Sequence, residues 1–127
     1  MMRVLLAVEP DRLRSALRFV VEHECGIQLV ASVTDAASLV ELCAASGPDV
    51  ALIDWDLPGL THAARGAVTL GRLFSAHPAL HVIVLGGHPE DRAAALAAGA
   101  HQFVSKSEPP ERLLAALRSM NGAGTSA

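Results

Sequence analysis

The sequence predicts an α/β protein, with one parallel β-sheet and helices on both of its faces. Two observations carry this. Short apolar runs recur along the chain without polar alternation, as in strands buried on both sides. Between them lie amphipathic stretches with helical spacing, giving five β–α units in a row. Right-handed crossovers then distribute the helices over both sides of a single sheet.

The elements can be justified in order. Val4, Leu5, Leu6, Ala7 and Val8 form the first run. Pro10 suits the first turn of a helix, where its missing N–H costs nothing, and Leu13, Leu17, Val20 and Val21 supply that helix's stripe. Residues 27–33 make a weaker strand, and Thr34-Asp35 caps a helix carrying Leu39 and Cys43. Residues 50–53 and 81–85 are two further continuous apolar strands, with a helix over residues 63–77 between them. Residues 89–98 are alanine-rich with a weak stripe, so that helix is expected to dock loosely. Residues 102–104 form a short last strand. After Pro109-Pro110, a final helix carries Leu113, Leu114, Leu117 and Met120. Residues 121–127 are small and polar, which predicts a flexible tail or the start of a linker after one domain at 1–120.

Composition excludes several classes. The chain's 127 residues suit one domain, and 51% apolar with 18% charged residues rules out a disordered chain. A net charge of −3 leaves no footprint for nucleic acid or an anionic membrane. No apolar stretch approaches the ~20 residues of a bilayer span. The first run meets Glu9 and Pro10 too early for a signal peptide. Cys25 and Cys43 match no metal or redox spacing and are expected as buried thiols in a reducing compartment. The histidines (His23, His62, His77, His81, His88, His101) are scattered and read as surface or turn residues.

Ligands of such a sheet sit beyond the carboxyl ends of its strands, so those positions carry the function. After the first strand comes Glu9-Pro10-Asp11, acidic and without glycine, which argues against a flavodoxin-type or dinucleotide phosphate site. The same acids also suit the start of a helix. After the third comes Asp54-Trp55-Asp56-Leu57-Pro58-Gly59. Asp54, Asp56 and Glu9 together would repel one another unless some protonate or a hard cation binds, and carboxylates with carbonyls suit Mg²⁺. Asp54 and Asp56 are equally the residue types of a turn before Pro58-Gly59. After the fourth, Gly86 and Gly87 offer bare backbone N–H groups to an anion, or simply a tight turn. After the fifth stands Lys106, the only lysine of the chain, whose compact ammonium can reach a carboxylate or phosphoryl group.

Three segments carry a resemblance. Residues 48–59 (PDVALIDWDLPG), 97–106 (AAGAHQFVSK) and 110–118 (PERLLAALR) resemble the receiver domain of bacterial response regulators, and the likeness spans about residues 3 to 120. It implies a flavodoxin-like, doubly wound, five-stranded parallel sheet of order 2-1-3-4-5 with five helices. It also implies that Asp54 accepts a phosphoryl group from a sensor histidine kinase or phosphotransfer protein. Mg²⁺ would be held by Glu9, Asp54 and the backbone carbonyl of Asp56. Lys106 would pair with a phosphoryl oxygen, with Gly86 and Gly87 beside it, and Phe103 stands at the aromatic switch position.

This sequence departs from the family pattern in three places. Val8 replaces one of two acids after the first strand, so weak Mg²⁺ binding is expected, since losing an outer partner costs ~10–100-fold in affinity. Gly86 stands where the family has Thr or Ser and cannot donate the hydroxyl bond that reports the phosphoryl group. Ser107 stands where many members have proline. The resemblance thus implies a cytoplasmic two-component signalling module, not an enzyme beyond turnover of its own acyl phosphate. Homodimerisation is expected through the last two helices and strand five, with no direct binding to nucleic acid or membrane. The alternative is a phosphorylation-independent pseudo-receiver, an interaction module with its surface around Leu96, Phe103 and Leu113. A small-molecule enzyme is disfavoured, because no nucleophile–base pair or cofactor loop is present.

Overall fold

The computed structural model describes residues 1–60 and 63–125. Five strands are present: β1 (Met2–Ala7), β2 (Ile27–Val33), β3 (Val50–Asp54), β4 (His81–Gly86) and β5 (Gln102–Ser105). They pair in parallel in the order β2-β1-β3-β4-β5. Helices α1 (Asp11–Glu22), α2 (Ala36–Ser46), α3 (Ala63–Ala76), α4 (Pro89–Ala97) and α5 (Pro110–Thr125) connect or follow them. The flavodoxin-like reading and its strand order are therefore correct.

Strand alternation decides which residues each helix meets. Leu5, Ala7, Ala51, Ile53, Val82 and Val84 point to one face, where they join Leu39, Cys43, Leu70, Leu73 and Ala95 of α2, α3 and α4. Val4, Leu6, Leu52, Ile83, Leu85 and Val104 point to the other, against Leu17 and Val21 of α1 and Leu113 and Leu117 of α5. Both faces are covered, which is why the central strands show no polar alternation. The order reverses between β1 and β3, so the loops after those two strands lie side by side at the carboxyl edge.

Local chemistry sets the helix ends. The Asp35 carboxylate accepts the Ser38 N–H at 2.7 Å and caps α2, as its position before the stripe suggests. Pro10 is the N-cap of α1, not its first-turn residue, because its backbone is extended (ψ 177°) and the helix starts at Asp11. Only Ala95 of α4 is fully buried, in keeping with its weak stripe. The backbone of α5 continues through Thr125, into the segment expected to be a tail, while residues 126–127 lie outside the described part.

Cysteine placement differs from expectation in one case. Cys43 is buried, but Cys25 is exposed, because it falls in the turn between α1 and β2 and on no apolar face. None of the described histidines is buried, and His62 lies outside the described residues. No helix among those residues is long and apolar enough to cross a membrane.

One contact fixes the end of β3. The Trp55 N–H donates to the Leu85 carbonyl at 2.8 Å, and the indole is 5% exposed. Its ring lies directly on Gly66 of α3, where a Cβ would come within 2.4 Å of it.

Candidate functional site

Asp54 ends β3 and is the one buried charged side chain among the described residues, with no exposed surface. Its Oδ1 accepts the backbone N–H of Asp56 at 2.9 Å and meets Lys106 Nζ at 2.7 Å. Its Oδ2 is buried and has no hydrogen-bond partner. One oxygen is thus held and the other is left available.

Lys106 follows β5, and its backbone N–H donates to the Gly86 carbonyl at 2.8 Å, which ties it to the end of β4. Its ammonium also donates to Asp56 Oδ2 at 3.1 Å and so bridges the two carboxylates. Burial alone would pull the ammonium below its ordinary value. The hydrogen bond and charge of Asp54, followed by those of Asp56, outweigh it and hold the group above that value. Gly87 borders this pair, its Cβ position 3.9 Å from both Asp56 Oδ2 and Lys106 Cδ.

Gly86 has a different neighbour. A Cβ there would lie 2.6 Å from the Phe103 ring and 2.9 Å from Asp91 Cβ. The ring therefore fills the space that a side chain at 86 would need. The Arg92 guanidinium stands 5.4 Å over the same ring, within range of a cation–π contact. Sequence reasoning saw at Gly86 a bare N–H, a tight turn and a missing hydroxyl, but not the ring beside it. The available signal was a glycine and an aromatic near the ends of strands that prove to be neighbours.

Glu9, just after β1, turns to Arg14. Arg14 Nη1 is 3.8 Å from the Glu9 carboxylate and donates to the Val8 carbonyl at 3.4 Å, while Nη2 pairs with Asp11. Among the described residues, no group of three His, Cys, Asp or Glu side chains is placed to hold a metal. The structure thus brings Asp54, Asp56, Lys106 and Gly87 together and Gly86 with Phe103, but leaves Glu9 in its own ion pair. Arg14 was missed: its spacing of three from Asp11 shows that pair, but not its reach back to Glu9 and the Val8 carbonyl. The face expected around Leu96, Phe103 and Leu113 also needs correction. Leu96 is exposed and Phe103 half-buried, but Leu113 is 2% exposed, because the α5 stripe turns inward onto Leu17 and Val104.

Residues 4–118 match the family model of the response regulator receiver domain. The chain belongs to that family. The receiver is 28% identical over 122 residues to the response regulator UvrY of Escherichia coli K12, covering 94% of this chain and 54% of UvrY. It is 31% identical over 108 residues to protein-glutamate methylesterase/protein-glutamine glutaminase 1 of Cereibacter sphaeroides, covering 82% of this chain and 28% of that protein. The chain therefore spans about half or less of the length of these relatives.

Solved receivers agree on the fold. The isolated receiver domain of RcsB from Salmonella enterica serovar Typhimurium, determined with the phosphomimetic BeF₃⁻, superposes with a TM-score of 0.83 at 22% identity, over 95% of this chain and 88% of that one. A LuxR-family DNA-binding response regulator from Staphylococcus aureus gives 0.82 at 20% identity, over 95% and 99%.

Receiver domains serve two-component signalling, interact with histidine kinases or phosphotransfer proteins, are generally non-enzymatic, and typically bind Mg²⁺ at their acidic pocket. The partnerless, desolvated Oδ2 of Asp54 fits such a hard cation, because a buried carboxylate oxygen is costly without a positive partner.

Proposed function

We propose that this receiver takes a phosphoryl group on Asp54 from the phosphohistidine of a sensor kinase or phosphotransfer protein, and that the resulting acyl phosphate changes which partner it binds. The observation that carries this is the asymmetry of Asp54: Oδ1 holds two donors and Oδ2 holds none. The Asp54 carboxylate is the nucleophile. It forms a bond to phosphorus while the P–N bond of the phosphohistidine breaks and its electron pair returns to the imidazole. Lys106 and the Asp56 N–H orient the carboxylate through Oδ1, which leaves Oδ2 for the cation.

The phosphoryl group adds about −1.5 to −2 charges at neutral pH, and Lys106 is the cation in place to face them. The Gly87 backbone supplies a further donor at the rim. Bound Mg²⁺, held by Asp54, the Asp56 carbonyl and Glu9, would neutralise phosphoryl charge, weakly because Val8 brings no second acid. In this reading the only covalent chemistry is formation and hydrolysis of the chain's own acyl phosphate. Its setting is the cytoplasm, and α4, β5 and α5 form its face toward partners or a second copy.

A second reading rests on Gly86. The Phe103 ring already occupies the space beside it, which favours a phosphorylation-independent interaction module. Backbone NMR with Mg²⁺ and beryllofluoride separates the two. Shifts that spread from Asp54 and Lys106 to Phe103 and α5 are expected for a switch. Shifts confined to Asp54 and Lys106 favour the interaction module. No shift in wild type at millimolar Mg²⁺ would sink the phosphoacceptor reading.

A further inference from the structure

We infer that the Arg14 guanidinium is the resident counter-charge of the loop after β1 and competes with a divalent cation for Glu9. The inference rests on the receiver reading of the acidic pocket. Its observations are independent of Asp54's reactivity.

Arg14 sits in the first turns of α1, where its backbone N–H donates to the Pro10 carbonyl at 3.0 Å. From there its side chain folds back over the loop. The planar fork reaches three oxygens at once: the Val8 carbonyl, the Glu9 carboxylate and the Asp11 carboxylate. The Arg14 side chain is 22% exposed, so most of it is committed to this contact. Val8 is fully buried and apolar and supplies no replacement ligand. Glu9 is then the one acidic side chain between β1 and Pro10, and the Arg14 guanidinium, paired more closely with Asp11, stands 3.8 Å from it.

A divalent ion that recruits Glu9 has to displace the guanidinium or bind beside it against charge repulsion. The weak Mg²⁺ binding expected from Val8 then has a second source, the cation at Arg14. Only the second can be reversed by deleting a side chain.

The test is a Mg²⁺ titration of the full chain, followed by the fluorescence of Trp55, the single tryptophan and the neighbour of Asp54, and by calorimetry. Arg14→Ala is expected to tighten Mg²⁺ binding about threefold to tenfold. Arg12→Ala removes the same charge from an exposed position on the same helix and is expected to leave the affinity within about twofold. The double variant Arg14→Ala/Glu9→Gln is expected to return to the wild-type affinity. Equal affinity in wild type and Arg14→Ala overturns the inference alone. So does a gain that survives Glu9→Gln or is matched by Arg12→Ala, since each marks general electrostatics. No saturable binding in any variant overturns both the inference and the receiver reading of the acidic pocket.

Discussion

At the scale of single residues, the site is a buried charge pair with one loose end. Lys106→Met leaves Asp54 desolvated with only the Asp56 N–H as a partner. We expect a loss of about 1–3 kcal/mol in urea unfolding, less than for a fully buried pair because the lysine side chain keeps 21% exposure. Adding Asp54→Asn should recover most of it, since the carboxylate that needed compensation is gone. Gly86→Ala should cost about 1–3 kcal/mol by overpacking against the Phe103 ring. The penalty should shrink in a Phe103→Ala background, as a thermal-denaturation cycle would show. Asp54 was legible because it ends an apolar run, where a charged side chain is out of place, and Lys106 because it is the only lysine and follows a strand. Arg14 and the reason for Gly86 were not. Both depend on a side chain crossing to a neighbouring segment, which spacing along one segment does not reveal.

At the scale of elements, local chemistry was easier to read than packing. The Asp35 cap could be seen in sequence because its partner, the Ser38 N–H, is three residues away. Asp35→Ala should lower the urea midpoint, while Asp35→Ser should largely keep it, since a hydroxyl oxygen can accept the same N–H. The Ser38 N–H also holds the Asp35 carboxyl below its ordinary value. Packing was harder: Leu113 belongs to an apolar stripe, but the stripe alone does not say whether sheet or partner covers it. The structure answers with Leu17 and Val104. Pro10 and Cys25 were misplaced for a related reason. Each lies at an element boundary, where a shift of a single residue changes the environment entirely.

At the scale of the whole molecule, stability should depend on pH from the end of the sheet opposite Asp54. His101 Nδ1 accepts the Val82 N–H at 3.1 Å, and its ring centroid lies 4.7 Å from that of His81. Partial desolvation of the exposed residue's ring, and then the His81 charge, hold the His101 imidazole below its ordinary value. The sign follows: above about pH 6.5 both folded and unfolded forms are neutral and stability is complete. Below that, the unfolded chain takes up the proton first, so stability falls as the pH drops toward the folded-state value. The melting temperature should decline from pH 7.5 to about 5.5, and His101→Gln should flatten that decline. A pH-independent Tm in wild type would contradict the coupling. The overall architecture needed no such detail. Continuous apolarity of the central strands already requires two covered faces, and five short β–α units leave few topologies to satisfy it.

The indole of Trp55 resting on the bare backbone of Gly66 has a consequence for inheritance. No side chain separates the ring from α3, so position 66 cannot take a side chain while Trp55 is in place. A saturation library at position 66 should return glycine almost exclusively when Trp55 is retained. Alanine and serine should reappear once Trp55 is replaced by leucine. Chains descended from this one would then change position 66 only after Trp55 had been replaced. The residue beside Asp54 would be kept in place by a helix that contributes nothing to the Asp54–Lys106 pair.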